Sequence, residues 1–368
     1  MNASRWSLAN RTVQHMMRLL CTGFCFVLLM LFVGCTQTIQ KVVYPTLSDG
    51  RYDSEFPYKN CSKQLQQVME SVKKINVIAY YESFVFDYDQ HLIVSQIPGL
   101  NLKKNSVSHS YFNQSSSGTS TIISAYGPKV VLLTCAHVVD YPDTTYSYFI
   151  ENNQRSKYVQ SISVKLRQEM YVAEGLGEGS LEVLVRDGKR DIALLGQEFS
   201  GMQKLGPVLD YPAGQSKSLE WGSFVYLLGF PKGYRMITRG IVSNPNRDKS
   251  GSFLVDALFN RGFSGGIILA IKDGVPNFEL VGIAKSVSAK FDYALIPEKE
   301  PAEYEYDPQI PYQGSTYVKM QSNIDYGITH AISIETIQNF VAENQAELNR
   351  LGYRIDAPCL KIQSSEKK

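Results

Sequence analysis

Three side chains of the types used in nucleophilic catalysis occur in the order His137, Asp191, Ser264. The serine lies in the pentapeptide GFSGG, and a serine hydroxyl needs a base to accept its proton as it attacks. Histidine is the usual base because its ordinary pKa lies near neutrality. Of the five histidines in the chain, His137 ends the apolar run VVLLTCAH, which can hold a side chain rigidly. Asp191 leads into the apolar run IALLG and could orient the imidazole.

Two other assignments of these partners are compatible with the sequence. Gly-x-Ser-x-Gly is also the nucleophile elbow of α/β-hydrolases, which would pair Ser264 with Asp292 or Asp307 and with His330. That elbow turns into a helix, whereas GGIILAIKDGVPNFELVGI has the pattern of strand, turn and strand. Asp187 is the second candidate acid, but its Asp-Gly context favours a solvent-exposed turn. We therefore favour Asp191 as the acid and His137 as the base.

The elements that must position these side chains are mostly strands. Short β-type runs such as VVLLT, SLEVLVR, SFVYLLGF and FELVGIAKSV follow one another with turn signals between them. Helical spacing occurs near the two ends, at 62–75 and 333–351. Many short strands with few helices predict an all-β fold, either an antiparallel barrel or a sandwich.

The motifs together resemble a known family. TCAHVVD, RDIALL and VDALFNRGFSGGIIL are similar to the histidine, aspartate and serine motifs of chymotrypsin-superfamily (trypsin-like) serine proteases. LLGFPKGYRMITRGIVSN and YGITHAISIETIQNF resemble the Htr/Deg-type protease domain in particular, and the resemblance runs from about 117 to about 340. It implies two antiparallel six-stranded β-barrels, to which the helical patterns add an N-terminal and a C-terminal helix. It assigns His137 as general base, Asp191 as its orienting acid and Ser264 as nucleophile.

The resemblance also implies an oxyanion hole and a substrate pocket. The backbone N–H groups of Gly262 and Ser264 correspond to the oxyanion hole. An apolar pocket floor would favour small or medium apolar side chains before the cleaved bond, because an unpaired Lys or Arg is costly to bury. Asp256 lies farther back and is expected to be structural. The implied pocket residues are Ala257, Leu258, Phe259, Ile283, Ala284 and Lys285.

The chain departs from the family pattern at several positions. Arg261 and Phe263 replace residue types common beside the serine, and Phe263 could form a pocket wall or obstruct the turn. Cys135 is expected to be a small core residue and His330 to be structural. An insertion at about 288–322 is far longer than ordinary connections and is predicted to be a lid or regulatory loop, with a surface excursion of no function as the alternative.

The composition of the 368 residues is that of a globular protein, with 44% hydrophobic and 20% charged residues and a mean hydropathy of −0.17. The formal charge is +2, but 1–34 contain three arginines and no acid. The remainder therefore holds 34 bases against 35 acids. Because a nucleic-acid surface needs a clustered basic face, no nucleic-acid partner is predicted.

The N-terminus has the pattern of an export signal. Basic residues precede an apolar run from Leu19 to Gly34, and Cys35 follows it. This arrangement resembles a bacterial lipoprotein signal at 1–34, with Cys35 lipidated and the protein anchored to a membrane of the cell envelope. The alternative is an uncleaved N-terminal anchor. A tether at 35–58, a protease domain at 59–355 and a tail at 356–368 complete the predicted organisation.

These observations predict a membrane-anchored serine endopeptidase that needs no cofactor or metal and takes proteins or peptides as substrates. A protease-like binding module without activity and, less favoured, a serine esterase are the alternatives. In an oxidising compartment Cys61 and Cys359 could form a disulfide, or both could remain free thiols.

Overall fold

The structure is a computed structural model that describes residues 45–152, 154–173, 179–199, 206–297, 309–310, 312, 314–355 and 357–360. Within these ranges the side chains at 45–46, 286–292, 320–326 and 359 are not described. Two β-structures follow one another along the chain, and each supplies part of the predicted site.

The first β-structure is a seven-stranded antiparallel sheet with the strand order β4-β5-β1-β2-β3-β7-β6. Alternation of apolar and polar residues along β1 and continuous apolar runs in β3 and β7 produce its buried face. The strands are β1 (Val72–Val85), β2 (Ser108–Tyr126), β3 (Lys129–Thr134), β4 (Thr144–Glu151), β5 (Gln154–Val172), β6 (Glu182–Asp187) and β7 (Ile192–Glu198).

The second β-structure is a closed six-stranded barrel with the order β10-β13-β12-β11-β8-β9. Neighbouring strands are antiparallel throughout. Its strands are β8 (Phe224–Gly229), β9 (Met236–Asn244), β10 (Phe253–Val255), β11 (Ile267–Ile271), β12 (Phe278–Pro297) and β13 (Thr316–Ser333).

Helices are short and lie mainly at the two ends of the described chain. They are α1 (Ser62–Ser71), α2 (Leu102–Asn105), α3 (Ala136–Val139), α4 (Ile334–Glu343) and α5 (Gln345–Arg350). The predicted first helix ends earlier than its pattern suggested, because β1 begins at Val72 and pairs with Thr121 of β2. Ser333 caps α4 through the N–H of Thr336, as its sequence position favours. None of the helices in these ranges combines the length and the apolar character that a membrane span requires.

One apolar core joins the two β-structures. It includes Leu133 and Leu194 of the sheet, Ile267 and Ile283 of the barrel, and Phe340 of α4. A second core fills the barrel around Phe253, Phe259 and Phe263. The predicted all-β class is therefore confirmed, with both terminal helices. The barrel has the expected six strands, whereas the first β-structure is a curled sheet of seven strands.

Much of the predicted insertion is regular structure. Strands β12 and β13 continue beyond the barrel as a two-stranded ribbon, in which 289–297 pair with 316–324. Tyr293 and Leu295 are exposed on it, as is Tyr312 beyond its end. Residues 298–308, with two of the tyrosines in the insertion, lie outside the described residues. The predicted role as a lid stays a prediction.

Part of the predicted tether packs against the barrel. The N–H of Asp53 donates to Ile271 O (2.9 Å), and the N–H of Phe224 donates to Asp53 O (2.8 Å). The Asp53 carboxylate, only 5% exposed, accepts the N–H of Gly274 at 3.0 Å. Cys61 is a free cysteine, with Sγ 3.6 Å from the Tyr226 hydroxyl, and the side chain of Cys359 lies outside the described residues.

Asp53 should make stability depend on pH. Burial raises its pKa to about 6 from an ordinary value of 3.8, although the Gly274 N–H opposes the shift. The folded state therefore binds more protons than the unfolded state between these two values, so this group lowers stability as pH rises through them. Asp53→Asn keeps an oxygen acceptor and removes the charge. We expect the variant to match the wild type near pH 4 and to exceed it by on the order of 2 kcal/mol at pH 7.

Urea unfolding of both proteins at several pH values measures this difference. Asp49→Asn, which changes an exposed carboxylate nearby, serves as the control. A stability difference that is constant across this pH range would show that the Asp53 carboxylate is not desolvated.

Candidate active site

His137 and Asp191 form a pair in the first β-structure. His137 lies in α3, directly after β3, and Asp191 precedes the first residue of β7. His137 Nδ1 lies 2.9 Å from Asp191 Oδ2 and 3.1 Å from Oδ1. The His137 backbone N–H also donates to Oδ1 at 2.9 Å. These contacts hold the imidazole so that Nδ1 faces the acid and Nε2 is the nitrogen left for a reaction partner.

Asp191 is held in an unusual backbone conformation. Its φ is +62°, in the left-handed region that non-glycine residues visit at a cost, although Asp is among those that tolerate it. Its residue exposure is 5%, whereas the His137 side chain is 46% exposed. A buried carboxylate behind a half-exposed imidazole can stabilise positive charge on the ring while leaving the ring accessible.

Ser264 lies in the second β-structure, in the turn before β11. Its hydroxyl donates to Lys285 O at 3.2 Å, and within the described residues no hydrogen bond joins it to His137. The segment after Ser264 is strand β11, followed by β12, rather than a helix. The alternative of a nucleophile elbow with His330 is therefore wrong, because its strand-to-helix turn is absent here.

The backbone on the N-terminal side of Ser264 adopts a conformation that favours glycine. Gly262 has φ +103°, and a Cβ at this position would lie 2.3 Å from Phe230 O. Among the described residues neither the Gly262 nor the Ser264 N–H donates a hydrogen bond. Two such N–H groups, held next to the serine, could bind developing negative charge.

Thr119 of β2 connects the two halves of the candidate site, and no feature of the sequence predicts this. Its N–H donates to Ser264 O at 2.9 Å and its hydroxyl donates to Gly262 O at 2.6 Å. The same hydroxyl accepts the Phe230 N–H at 2.9 Å, and Thr134 donates to Thr119 O at 2.7 Å. Every contact is with a residue distant in sequence, apart from Thr134, so no local motif signals it.

The residues beside the serine are structural in this fold. Phe263 is fully buried, with its ring centroid 5.8 Å from that of Phe259 in the barrel core. Its ring therefore packs into the barrel core and holds the loop that carries Ser264, residues 260–266 (the serine loop), against the barrel; its effect on activity stays a prediction. The Arg261 carbonyl accepts the Lys232 N–H at 2.7 Å, which fixes the other end of the loop.

Cys135 lies close to the pair of His137 and Asp191. Ligand atoms of the three residues are all within 4.8 Å of one another, a spacing that a metal ion could bridge. The Cys135 thiol is buried and donates to Ala284 O at 3.4 Å. Burial, reinforced by the Asp191 charge, raises its pKa well above the ordinary range. Because thiolate rather than thiol is the metal ligand, this environment favours a core role for Cys135.

The predicted pocket residues differ in accessibility. Ala257, Phe259, Ile283 and Ala284 are buried in the apolar cores. Leu258 is 64% exposed, and the Lys285 side chain is 39% exposed with Nζ 4.0 Å from Asp191 Oδ2. These placements leave the pocket assignment as a prediction.

The remaining candidates have structural partners. Asp256 Oδ1 accepts the Ile241 N–H at 2.8 Å and so joins β9 to the segment after β10. Asp187 accepts the backbone N–H of Arg190 and bonds its Nε at 2.6 Å, which is the turn role expected from its Asp-Gly context. His330 pairs in register with Ser286 between β13 and β12.

Comparisons with known proteins find one family and a number of solved structures to which this chain is similar. The family described as "Trypsin-like peptidase domain" matches residues 118–283. The chain is also similar to a solved structure titled "Crystal structure of Deg5", at 16% identity over 61% of this chain and 83% of that chain, with a TM-score of 0.33. No curated protein matches. Residues 118–283, which carry His137, Asp191 and Ser264, are therefore similar to the trypsin-like peptidase domain family.

Proposed function

We propose that this protein is a serine endopeptidase that uses His137, Asp191 and Ser264. The observation that carries the proposal is the contact of His137 Nδ1 with both oxygens of the buried Asp191 carboxylate. A structural histidine would not need a buried acid behind it and an accessible ring edge in front. A base that must accept a proton and return it needs both.

In the proposed reaction Ser264 Oγ attacks the carbonyl carbon of the substrate peptide bond. His137 Nε2 takes the hydroxyl proton, and Asp191 stabilises the resulting imidazolium. The carbonyl oxygen becomes an oxyanion that accepts hydrogen bonds from the Gly262 and Ser264 N–H groups. The C–N bond then breaks, His137 returns the proton to the leaving amine, and water hydrolyses the acyl-enzyme by the same route.

The Ser264 hydroxyl must exchange its hydrogen-bond acceptor before it can attack the substrate. It donates to the Lys285 carbonyl in the structure, and attack requires it to donate to His137 instead. Catalytic hydrogen bonds often form fully only when substrate is bound. A substrate strand that takes over hydrogen bonding along β12 would release the hydroxyl. If the Ser264 hydroxyl remained hydrogen-bonded to the Lys285 carbonyl when a peptide binds, the protein would be a binding module without activity.

Membrane attachment is a separate part of the proposal and rests on sequence alone. Cys35 and the apolar run before it lie outside the described residues. A lipoprotein N-terminus carries several acyl chains, and stable membrane residence requires more than one. Attachment to a membrane of the cell envelope follows from this proposal.

Replacement of the catalytic residues should abolish turnover without unfolding the protein. Ser264→Ala and His137→Ala are each expected to lower kcat by about 10⁴- to 10⁶-fold in cleavage of a peptide library. Asp191→Asn should be severe because the imidazole would lose its orienting charge. Asp187→Asn is the matched control, since this acid serves the turn, and it should be mild.

Labelling by a fluorophosphonate probe reports the activated serine independently of substrate choice. Wild-type protein should be labelled and Ser264→Ala should not. Proteolysis that survives in Ser264→Ala would refute the assignment. Ester turnover without any peptide cleavage would favour an esterase, and no labelling at all would favour the binding module.

Thr119 should position the oxyanion site. Thr119→Val keeps the shape of the side chain but removes the hydroxyl from the Gly262 carbonyl and the Phe230 N–H. We expect a loss of about 1–3 kcal/mol in stability and a fall in kcat of at least about tenfold with a smaller change in KM. Thr119→Ser, which retains the hydroxyl, should restore most of kcat. Equal kcat in the Val and Ser variants would show that the hydroxyl does not act on the site.

Lipidation at Cys35 has a direct test. Expression in a bacterial host should give membrane-bound protein whose N-terminal residue is Cys35 with attached acyl chains, as seen by mass spectrometry. Cys35→Ser should give uncleaved precursor or unlipidated protein, while Cys61→Ser serves as the cysteine control. Membrane-bound mature protein with an unmodified Cys35 would contradict the proposal.

A further inference from the structure

A cavity of about 290 Å³ lies between the two β-structures beside the candidate triad. The turn before Asp191 contributes Lys189 and Arg190, and the loop between β9 and β10 contributes residues from 247 to 252. Strands β12 and β13 and the start of α4 complete it, and Lys285 of β12 has Nζ 4.0 Å from Asp191 Oδ2 of the candidate triad. Nothing in the proposed triad chemistry uses this cavity.

The cavity is strongly basic. Four cations line it, Lys189, Arg190, Arg247 and Lys285, against one acid, Asp248. Arg190 is neutralised from outside by Asp187 and Glu343. Lys285 Nζ lies 4.0 Å from Asp191 Oδ2, and the same oxygen also contacts His137 Nδ1. Among the described residues, Lys189 and Arg247 have no acidic partner.

The Asp248 carboxylate is hydrogen-bonded by its own loop and, among the described residues, is not ion-paired with any of the cations that line the cavity. Oδ1 accepts the N–H groups of Ser250 (2.9 Å) and Ser252 (3.1 Å), and both serine hydroxyls also donate to the carboxylate. Partial burial opposes ionisation, but these hydrogen bonds lower its pKa to about 2. The carboxylate therefore acts as the organiser of the loop that presents Arg247.

A hydrogen bond to neutral His330 orients the Arg247 side chain. Its guanidinium donates to His330 Nδ1 at 2.9 Å, which requires that this nitrogen be unprotonated. Burial, with the charges of Arg247 and Lys285, lowers the His330 pKa. An imidazole used as an acceptor leaves the positive charge of Arg247 in place, whereas a carboxylate would cancel it.

We infer that this cavity binds the carboxylate of an acidic side chain in the substrate, close to the cleaved bond. The inference rests on the proposed protease function. Lys285 links the two places, because its carbonyl accepts the Ser264 hydroxyl and its side chain lines the cavity. A peptide bound along β12 at Ser264 would therefore place a nearby side chain at the cavity, where Lys189 and Arg247 supply unneutralised charge. An Asp or Glu there gains charge-assisted hydrogen bonds that a neutral side chain lacks.

Cleavage of peptides with Glu or Gln at each position around the cleaved bond tests the assignment. At one position Glu should raise kcat/KM over Gln by about tenfold at low salt, and less at high salt. The ratio should fall toward one in Lys189→Gln with Arg247→Gln. Lys249→Gln changes an exposed lysine of the same loop that does not line the cavity, and should keep the ratio. No Glu preference at any position would overturn the inference while the protease function stands.

Charge reversal separates a direct contact from a general field. Lys189→Glu should reverse the preference, so that a peptide with Lys at the selected position is cleaved better than one with Glu. A preference that weakens without reversing, and weakens equally in Lys249→Glu, would indicate only the net charge of the protein and would overturn the assignment.

A binding measurement keeps the inference testable if the protein cleaves nothing. N-acetylglutamate N-methylamide should shift the His330 ring resonances, and the shift should disappear in the double Gln variant. N-acetylglutamine N-methylamide is the neutral control and should cause no shift. Equal shifts from both compounds would overturn the inference. Inorganic phosphate that shifts these resonances, in an active enzyme without Glu preference, would identify an anion site unrelated to substrate and would equally overturn it.

Discussion

Thr119 makes hydrogen bonds to both sides of the serine loop, and the geometry of the candidate site depends on them. Its N–H and hydroxyl fix the carbonyls of Ser264 and Gly262, and its own carbonyl is fixed by Thr134 from the neighbouring strand. Those two carbonyls are engaged, while the N–H groups of Gly262 and Ser264 have no hydrogen-bond acceptor among the described residues. Because Thr119 belongs to the first sheet and the loop to the barrel, these bonds also set the distance between the halves.

The division of the site between two β-structures has an energetic consequence. His137 and Asp191 come from the sheet and Ser264 from the barrel, so neither half contains a complete site. A single apolar core that includes Leu133 and Ile283 joins the halves. Hydrophobic burial supplies the free energy that holds them together, but it does not specify direction. The hydrogen bonds of Thr119 specify the relative orientation of the two halves. They depend steeply on distance and angle, so a small shift of either half would break them.

The same interface determines where charge accumulates. The sheet places Lys189 beside Asp191, and the barrel places Arg247 and Lys285 opposite. Asp191 Oδ2 lies 4.0 Å from Lys285 Nζ and offsets that cation, whereas Lys189 and Arg247 have no acidic partner among the described residues. The result is an acid-binding environment one side chain away from the nucleophile. An electrostatic preference for substrate can thus arise without a charged residue at the floor of the predicted pocket.

The sequence by itself determined the local features of the protein. Apolar runs and turn signals predicted strands. His137 was identified at the end of one such run and Asp191 directly before another. The family resemblance assigned Gly262 to a position with an unusual backbone turn, and the structure shows φ +103° there. Helix α4 followed from its spacing and from its Ser333 cap. Such features depend on residues a few positions apart, so a linear pattern records them.

Only the tertiary structure decided the features that depend on distant contacts. Phe263 could have been a pocket wall or an obstruction, and its position in the barrel core followed from packing against Phe259. Much of the insertion forms a ribbon because the extended parts of β12 and β13 pair with each other. Thr119 and the basic cavity had no signal at all, since their groups come from separate segments. Hydrogen bonds and burial across such separations are fixed by the fold as a whole, and no short pattern contains them.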